Sequence, residues 1–218
     1  MQTFDSAMQY LAAIDDDWAR LIAEVGDCGL KTTPNHEPYE ALVRSISYQQ
    51  LHGRAAEAIL GRLLAMYPDQ PFPTPANILA TDPALMRACG FSATKVATIR
   101  EIAQKTQDGL VPTLADAKLM SNEELIAHLV QLKGIGRWTV EMLLIFTLER
   151  WDVLPVGDFG VREGYRLLKS LAEQPTPKVF NEIGLAWSPY RSIASWYLWQ
   201  AASLYKLKPE KVAKKKSS

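Results

Sequence analysis

Cysteine is nearly absent from this 218-residue chain: Cys28 and Cys89 are its only two. Two thiols cannot build a disulfide framework, and their wide separation rules out a CxxC redox motif, so a reduced compartment is expected. A four-cysteine iron–sulfur cluster is excluded on the same count. Three histidines, His36, His52 and His128, show no paired ligand spacing and give no zinc site. No apolar run approaches the roughly 18 residues that span a bilayer, and the opening MQTFDSAMQYLAAIDDDW lacks a basic stretch ahead of an apolar one. Secretion and membrane insertion are therefore not expected. Charge of one sign is also missing, since 24 Lys and Arg stand against 24 Asp and Glu. The zero balance hides an asymmetry: residues 206–218 hold six Lys and one Glu, which leaves −5 on residues 1–205. An anionic partner must be met locally, and the lysine-rich end reads as a solvated, disordered tail, a phosphate-seeking arm or a nuclear-type address. No heptad seam suggests a dimer, and a monomer is expected.

What is present belongs to an ordinary globular protein, with 48% hydrophobic and 22% charged residues. Apolar residues recur at three- and four-residue spacing and strict alternation is scarce, which predicts an all-α fold. Phe4, Ala7, Met8, Leu11, Trp18, Leu21, Ile22 and Val25 trace one face of an opening helical segment with Asp15, Asp16 and Asp17 at its polar middle. Leu42, Val43 and Ile46, then Ala55, Ala58, Ile59 and Leu63, mark two helices around SYQQLHG. The proline-rich YPDQPFPTP must interrupt helix. Helix starts are signalled by Asp82 before Pro83, by Ser92, and by Ser121 with Glu124 three residues on. WTVEMLLIFTLERW is apolar nearly all round and predicts a buried helix. Of the six tryptophans, Trp18, Trp151, Trp196 and Trp199 are assigned to the core.

The most informative stretch is 121–162, which reads as helix, glycine hairpin, buried helix, then loop. In Leu132-Lys133-Gly134-Ile135-Gly136, both glycines are expected at positive φ, exposing backbone N–H groups at the start of the next helix. Such amides, carrying the partial positive charge of a helix N-terminus, suit a phosphate oxygen; an ordinary αα-turn would need the same glycines. In the following loop, Asp158 could be a catalytic carboxylate or simply the cap of a helix starting at Phe159. Gln50-Leu51-His52 likewise reads as a wedge for a nucleic-acid groove or as a plain helix-to-helix turn.

The hairpin LKGIGRWT followed by the loop PVGD closely resembles the helix–hairpin–helix superfamily of DNA glycosylases. KGIGRWTVEML, MRACGFSATK and ISYQQLHGRAA are similar to segments of its alkylation-repair branch, the DNA-3-methyladenine glycosylase II type. The resemblance covers about 36–200. It implies two helical lobes, a central one over 36–152 and a second from 1–35 with 153–205, with the active site in the cleft between them and 206–218 left as a basic tail. It further implies that Asp158 is catalytic and that Trp138, Met142 and Trp187 form the base pocket. Gln50, Leu51, His52, Gly134, Gly136 and Arg137 would contact DNA, with Leu51 as the wedge. The carbonyls of Val130, Leu132 and Ile135 would hold a monovalent cation, Na+ or K+, with no other cofactor required. The implied partner is double-stranded DNA carrying alkylated bases. Its reaction is hydrolysis of the N-glycosidic bond of 3-methyladenine, with 7-methylguanine, hypoxanthine and ethenoadenine as further substrates, after the nucleotide is flipped. The location would be cytoplasmic in a bacterium and nuclear in a eukaryote. A non-catalytic damage-binding protein of the same fold is the alternative, and a helical protein-interaction module a more distant one.

Members of the superfamily that also nick the strand carry a lysine nucleophile where this chain, after Gly136-Arg137, has Trp138. A single activity that leaves an intact abasic site is therefore expected. Borohydride should trap no covalent complex between this protein and damaged DNA, and a trapped adduct would contradict that reading.

Overall fold

The computed structural model describes residues 2–51 and 53–206. Among these the chain forms thirteen α-helices, one short 3-10 turn and no strand, the all-α class expected from periodicity. In chain order they are α1 (Phe4–Ala12), α2 (Asp16–Val25), α3 (Pro38–Tyr48), α4 (Gly53–Leu64), α5 (Pro75–Ala80), α6 (Pro83–Ala88) and α7 (Ala93–Gln107). They continue with α8 (Leu114–Leu119), α9 (Asn122–Leu129), α10 (Arg137–Phe146), α11 (Phe159–Leu168), α12 (Pro177–Ile183), the 3-10 turn Gly184–Trp187, and α13 (Arg191–Lys206).

Two compact units result, a central one over Thr32–Glu149 and a terminal one from Met1–Lys31 with Arg150–Ser218. The limits differ by a few residues from 36 and 152, and hydrogen bonds explain why. The Thr33 N–H donates to the Phe146 carbonyl at 2.7 Å, and the Thr32 hydroxyl donates to Glu149 at 2.7 Å, tying both residues into the central unit. Arg150 and Trp151 give their carbonyls to Ser192 (2.6 and 2.9 Å), and Asp152 is ion-paired with Arg191, so 150–152 belong with α13.

Helix boundaries follow local chemistry. Ser121 and Glu124 form the expected reciprocal cap on α9, Ser92 accepts the Lys95 N–H at the start of α7, and Asp82 caps α6. The opening segment is not one helix. Asp15 accepts the N–H groups of Asp17 and Trp18 at 3.1 Å and starts α2 afresh, because an aspartate serves an N-terminus better than a helix interior. In α4 the expected Leu63 is buried and Ile59 half-buried, but the rest of the buried face is Ala56 and Leu60, with Ala55 and Ala58 exposed. Alanines carry too little apolar surface to fix a face from sequence.

In the central unit α10 is buried nearly all round through Thr139, Val140, Leu143, Leu144 and Ile145, as its composition implied. The terminal unit packs Leu11, Trp18, Leu21, Val161, Phe180, Trp187, Ile193 and Tyr197 into one cluster. Within it α11 and α13 approach unusually closely: a Cβ at Gly164 would lie 1.8 Å from the Leu198 carbonyl oxygen. Only glycine permits that crossing.

Lys169, at the end of α11, places its ammonium 2.6 Å from Asp15 and 3.0 Å from Asp17 at the start of α2. The Lys169 bond, opposed by burial and aided by Arg20, holds the Asp17 carboxyl below its ordinary range. A depressed folded value means stability that is present above the ordinary carboxylate pKa and lost as pH falls through the lowered one. Lys169→Met should cost on the order of 1 kcal/mol at neutral pH, with the gap from wild type closing below about pH 4. Urea denaturation at a series of pH values measures this, and a gap that ignores pH would contradict it.

Candidate active site

The hairpin of the central unit runs from Val130 to Gly136. Leu132 and Ile135 point into the core, while Lys133, Gly134 and Gly136 are exposed. The turn is closed by Leu132 N–H to the Leu129 carbonyl and Ile135 N–H to the Leu132 carbonyl, both 3.1 Å. Gly134 sits at φ 83°, and a Cβ there would come within 3.1–3.2 Å of the Thr98 side chain on α7. Glycine is thus required twice over at this position. Gly136 differs from expectation: its φ is −96° with extended ψ, so it needs no left-handed freedom. It is instead the N-cap of α10, giving its carbonyl to Thr139 at 3.0 Å with no side chain of its own to cap the helix.

Arg137 braces the two hairpin helices. Its guanidinium binds Glu123 of α9 through two bonds of 2.7 and 3.1 Å and the buried Glu141 of α10 at 2.9 Å. The Arg137 bonds, against a smaller cost of burial, hold the Glu123 carboxyl below its usual range. The side chain expected on a phosphate is therefore engaged by two carboxylates, and what the hairpin offers an anion is backbone and the exposed Lys133. Val130, Leu132 and Ile135, whose carbonyls are expected to hold a monovalent cation, lie on this same turn, and the Leu132 oxygen already accepts Ile135 N–H, which leaves it one lone pair for an ion. Among the described residues no group of His, Cys, Asp and Glu could hold a metal.

At the end of α3 the chain turns through Gln49 and Gln50. Gln50 has φ 56°, a left-handed conformation costly for a residue with a side chain. It is exposed, and Leu51 beyond it is 40% exposed, an apolar side chain held out of the core. His52 lies outside the described residues, as does the lysine-rich tail beyond Lys206.

In the terminal unit a tight turn, closed by Asp158 N–H to the Pro155 carbonyl at 2.9 Å, delivers Asp158 to the start of α11. Asp158 is 9% exposed, and its Oδ1 accepts the Val161 N–H at 2.8 Å, so it caps the helix. The same oxygen accepts the indole N–H of Trp199 at 3.1 Å. Two donors on one oxygen fix the carboxylate's rotamer. Gly160 leaves room for this, since a Cβ there would meet Asp158 Oδ1 at 3.2 Å and the Trp199 ring at 3.1 Å. Phe159, next to Asp158, is 62% exposed.

Trp138 and Met142 lie one turn apart on α10, the first 43% exposed and the second half-buried. Trp187 is placed differently from expectation. It is 1% exposed, edge-to-face with Trp18 and Phe180 and tilted against Tyr165, so it is core with no open face for a ligand. The core assignment of Trp199 holds, since it packs against the terminal cluster, but unlike Trp187 it also donates its indole N–H to the Asp158 carboxylate. Residue type and spacing could not distinguish them, because the contact spans 41 positions and depends on the α11–α13 crossing.

The model of the HhH-GPD superfamily of base excision DNA repair proteins matches residues 43–189. The chain belongs to this superfamily. DNA-3-methyladenine glycosylase 1 of Schizosaccharomyces pombe is 45% identical over 89% of this chain and 86% of its own length. An alkylbase DNA glycosidase-like protein of the same yeast is 35% identical over 93% and 96%. The structure is similar to that of the S. pombe 3-methyladenine DNA glycosylase in complex with abasic DNA, with a TM-score of 0.81 and coverage of 89% of this chain and 95% of that one. In this HhH-GPD chain the matched span holds the Gln50–Leu51 turn, the hairpin and Asp158, but ends before Trp199.

The capping role of Asp158 separates its structural from its chemical contribution. Asp158→Ala should lower stability by about 1 kcal/mol, while Asp158→Asn, which still offers an oxygen to Val161, should stay within about 0.5 kcal/mol. Chemical denaturation of both variants checks this; equal stability of Asp158→Ala and wild type would contradict the cap.

Proposed function

We propose that this protein is a monofunctional DNA glycosylase that hydrolyses the N-glycosidic bond of alkylated purines in duplex DNA. 3-Methyladenine is the principal substrate, with 7-methylguanine, hypoxanthine and ethenoadenine within reach. The observation that carries the reading is the Asp158 carboxylate, fixed at a helix N-terminus by Val161 and Trp199 in an HhH-GPD chain. Its close similarity to an enzyme named for 3-methyladenine supports the substrate class.

The chemistry explains why one fixed acid suffices. As the bond from C1′ to the base nitrogen breaks, its electron pair leaves with the base and positive charge spreads over C1′ and the ring oxygen. A carboxylate held still beside that charge stabilises it without reorganising. Water then adds to C1′, and its proton passes to Asp158 and on to solvent. A purine methylated at N3 or N7 is cationic in the nucleotide and leaves neutral, so no strong general acid is needed at the base. Hypoxanthine and ethenoadenine, neutral in the nucleotide, must take a proton from solvent as they leave and are the slower substrates. With Trp138 where a nucleophilic lysine would stand, no Schiff base forms and the abasic product stays intact.

Reaching C1′ requires rotating the nucleotide out of the stack, at a cost of a few kcal/mol. Leu51 acts as the wedge that fills the gap. The N–H groups at the start of α10 hold the backbone phosphates, and a monovalent cation on the carbonyls of Val130, Leu132 and Ile135 would add positive charge there. The exposed Trp138 ring stacks on an electron-poor base, an interaction of roughly 1–3 kcal/mol. The thioether of Met142 is softer and less directing than a second ring, which favours a broad substrate range. Duplex DNA is the partner this reading requires, and the S. pombe relative was solved on abasic DNA.

Mass spectrometry of free bases released from methylated duplex DNA tests the proposal, with unmodified DNA as control. Wild type should release 3-methyladenine or 7-methylguanine. Asp158→Asn should bind the damaged duplex as wild type does but release on the order of 10²-fold less. Tight lesion binding by wild type without any release would favour the non-catalytic alternative, and near-normal release by Asp158→Asn would remove that residue from the mechanism.

A further inference from the structure

The turn that presents Leu51 is held by a charge that the proposed chemistry does not use. Lys95, in the first turn of α7, sends its ammonium to the carbonyls of Ser47 at 2.9 Å and Gln49 at 2.7 Å. These are oxygens at the C-terminal end of α3, where carbonyls lack helical partners and a cation is favoured. Ser47 is fully buried and Lys95 is half-buried, and burial draws the Lys95 pKa down. A solvated cap could be had from any surface lysine. This one is half-buried and bonded to two carbonyls at the point where the backbone enters the strained left-handed conformation of Gln50, one residue before Leu51.

The same face of α7 reaches the hairpin. Three residues beyond Lys95, Thr98 packs against Gly134, and three further on, Glu101 accepts the Lys133 N–H at 3.2 Å. Residues 95, 98 and 101 lie on one helical stripe. One rigid helix therefore contacts both the Leu51 turn and the hairpin, and both belong to the central unit.

We propose that Lys95 is a positioning residue for nucleotide flipping: its bonds to the Ser47 and Gln49 carbonyls hold Leu51 in a fixed register with the hairpin by way of α7. The inference rests on the reading of Leu51 as the wedge. With the bonds in place, Leu51 enters the stack without first ordering its own backbone, so the entropic cost of the strained turn is met before DNA arrives. Without them the hairpin still grips phosphates, but insertion fails.

The test uses the full-length protein and a duplex in which 2-aminopurine flanks a tetrahydrofuran abasic site, so that insertion beside the gap changes the fluorescence. At saturating wild type the signal should rise. Leu51→Ala and Lys95→Met should each lose most of that rise, and the double variant should lose no more than Leu51→Ala alone. Lys95→Arg, which restores N–H donors, should recover at least about half of it. Affinity for undamaged duplex and its salt dependence should change less than about twofold in the Lys95 variants, a result that a general loss of structure would not give. If Lys95→Met does not fold, Lys95→Gln keeps two donors without the charge and should give an intermediate rise. A full rise in Lys95→Met alongside a loss in Leu51→Ala would overturn the positioning role and leave the wedge intact. A full rise in Leu51→Ala would overturn the wedge reading itself, and the inference with it. A tenfold loss of undamaged-duplex affinity with a shallower salt slope in Lys95→Met would place Lys95 on a phosphate and overturn the proposal.

Discussion

The close crossing of α11 and α13 is the constraint on which the proposed chemistry depends. Gly164 admits the Leu198 carbonyl where any Cβ would collide, and that approach carries Trp199, the next residue, to Asp158. Gly160 clears the remaining space beside both side chains. The carboxylate is then gripped from two directions, by the backbone of its own helix and by an indole from another. Fixed geometry of this kind is what an electrostatic role needs, because a charge that must reorient during reaction stabilises less than one already in place. The cap and the proposed catalyst are thus one group with two duties, and the alternatives open at the level of sequence are not exclusive.

The central unit solves a different problem with little net charge. Residues 32–149 hold 10 Lys and Arg against 12 Asp and Glu, a net charge of −2, and the one cationic side chain at the start of α10, Arg137, is bound to Glu123 and Glu141. The hairpin instead leads into a helix N-terminus whose cap, Gly136, brings no side chain of its own. Partial charges fixed by backbone geometry attract a phosphate at short range only. A duplex-binding protein built in this way can stay near neutral overall and still hold a polyanion at a chosen point. Lys95 follows the same logic in reverse, as a full charge spent on backbone carbonyls inside the protein.

The parts legible in sequence were those governed by local rules. Ser92, Asp82 and the Ser121–Glu124 pair marked their helix starts because capping is decided within four residues. The hairpin turn was readable because Gly134 needs left-handed backbone, and the family through the resemblance carried by LKGIGRWT and PVGD. The close approach of Thr98 to Gly134 left no mark in the sequence. Gly136 misled because a glycine in a tight hairpin suggests positive φ, whereas here its value is the absence of a side chain over a helix end. Trp187 was misplaced, and the bond from Trp199 to Asp158 missed, because both depend on tertiary packing, which tryptophan spacing does not encode. Lys95 gave no signal at all: a lysine three residues after a helix cap looks solvated until the partner carbonyls of Ser47 and Gln49 are seen.

If the grip on Asp158 is central, weakening it from the tryptophan side should matter even though that residue transfers no proton. The measurement is the single-turnover rate of 7-methylguanine release by Trp199→Phe, which keeps an aromatic ring but removes the indole N–H together with part of the ring, under conditions where the variant is shown to be folded. The account predicts a loss on the order of tenfold or more, since small misplacements of a reacting group are costly, with lesion-duplex affinity near wild type. A release rate equal to wild type in a folded Trp199→Phe protein would contradict it.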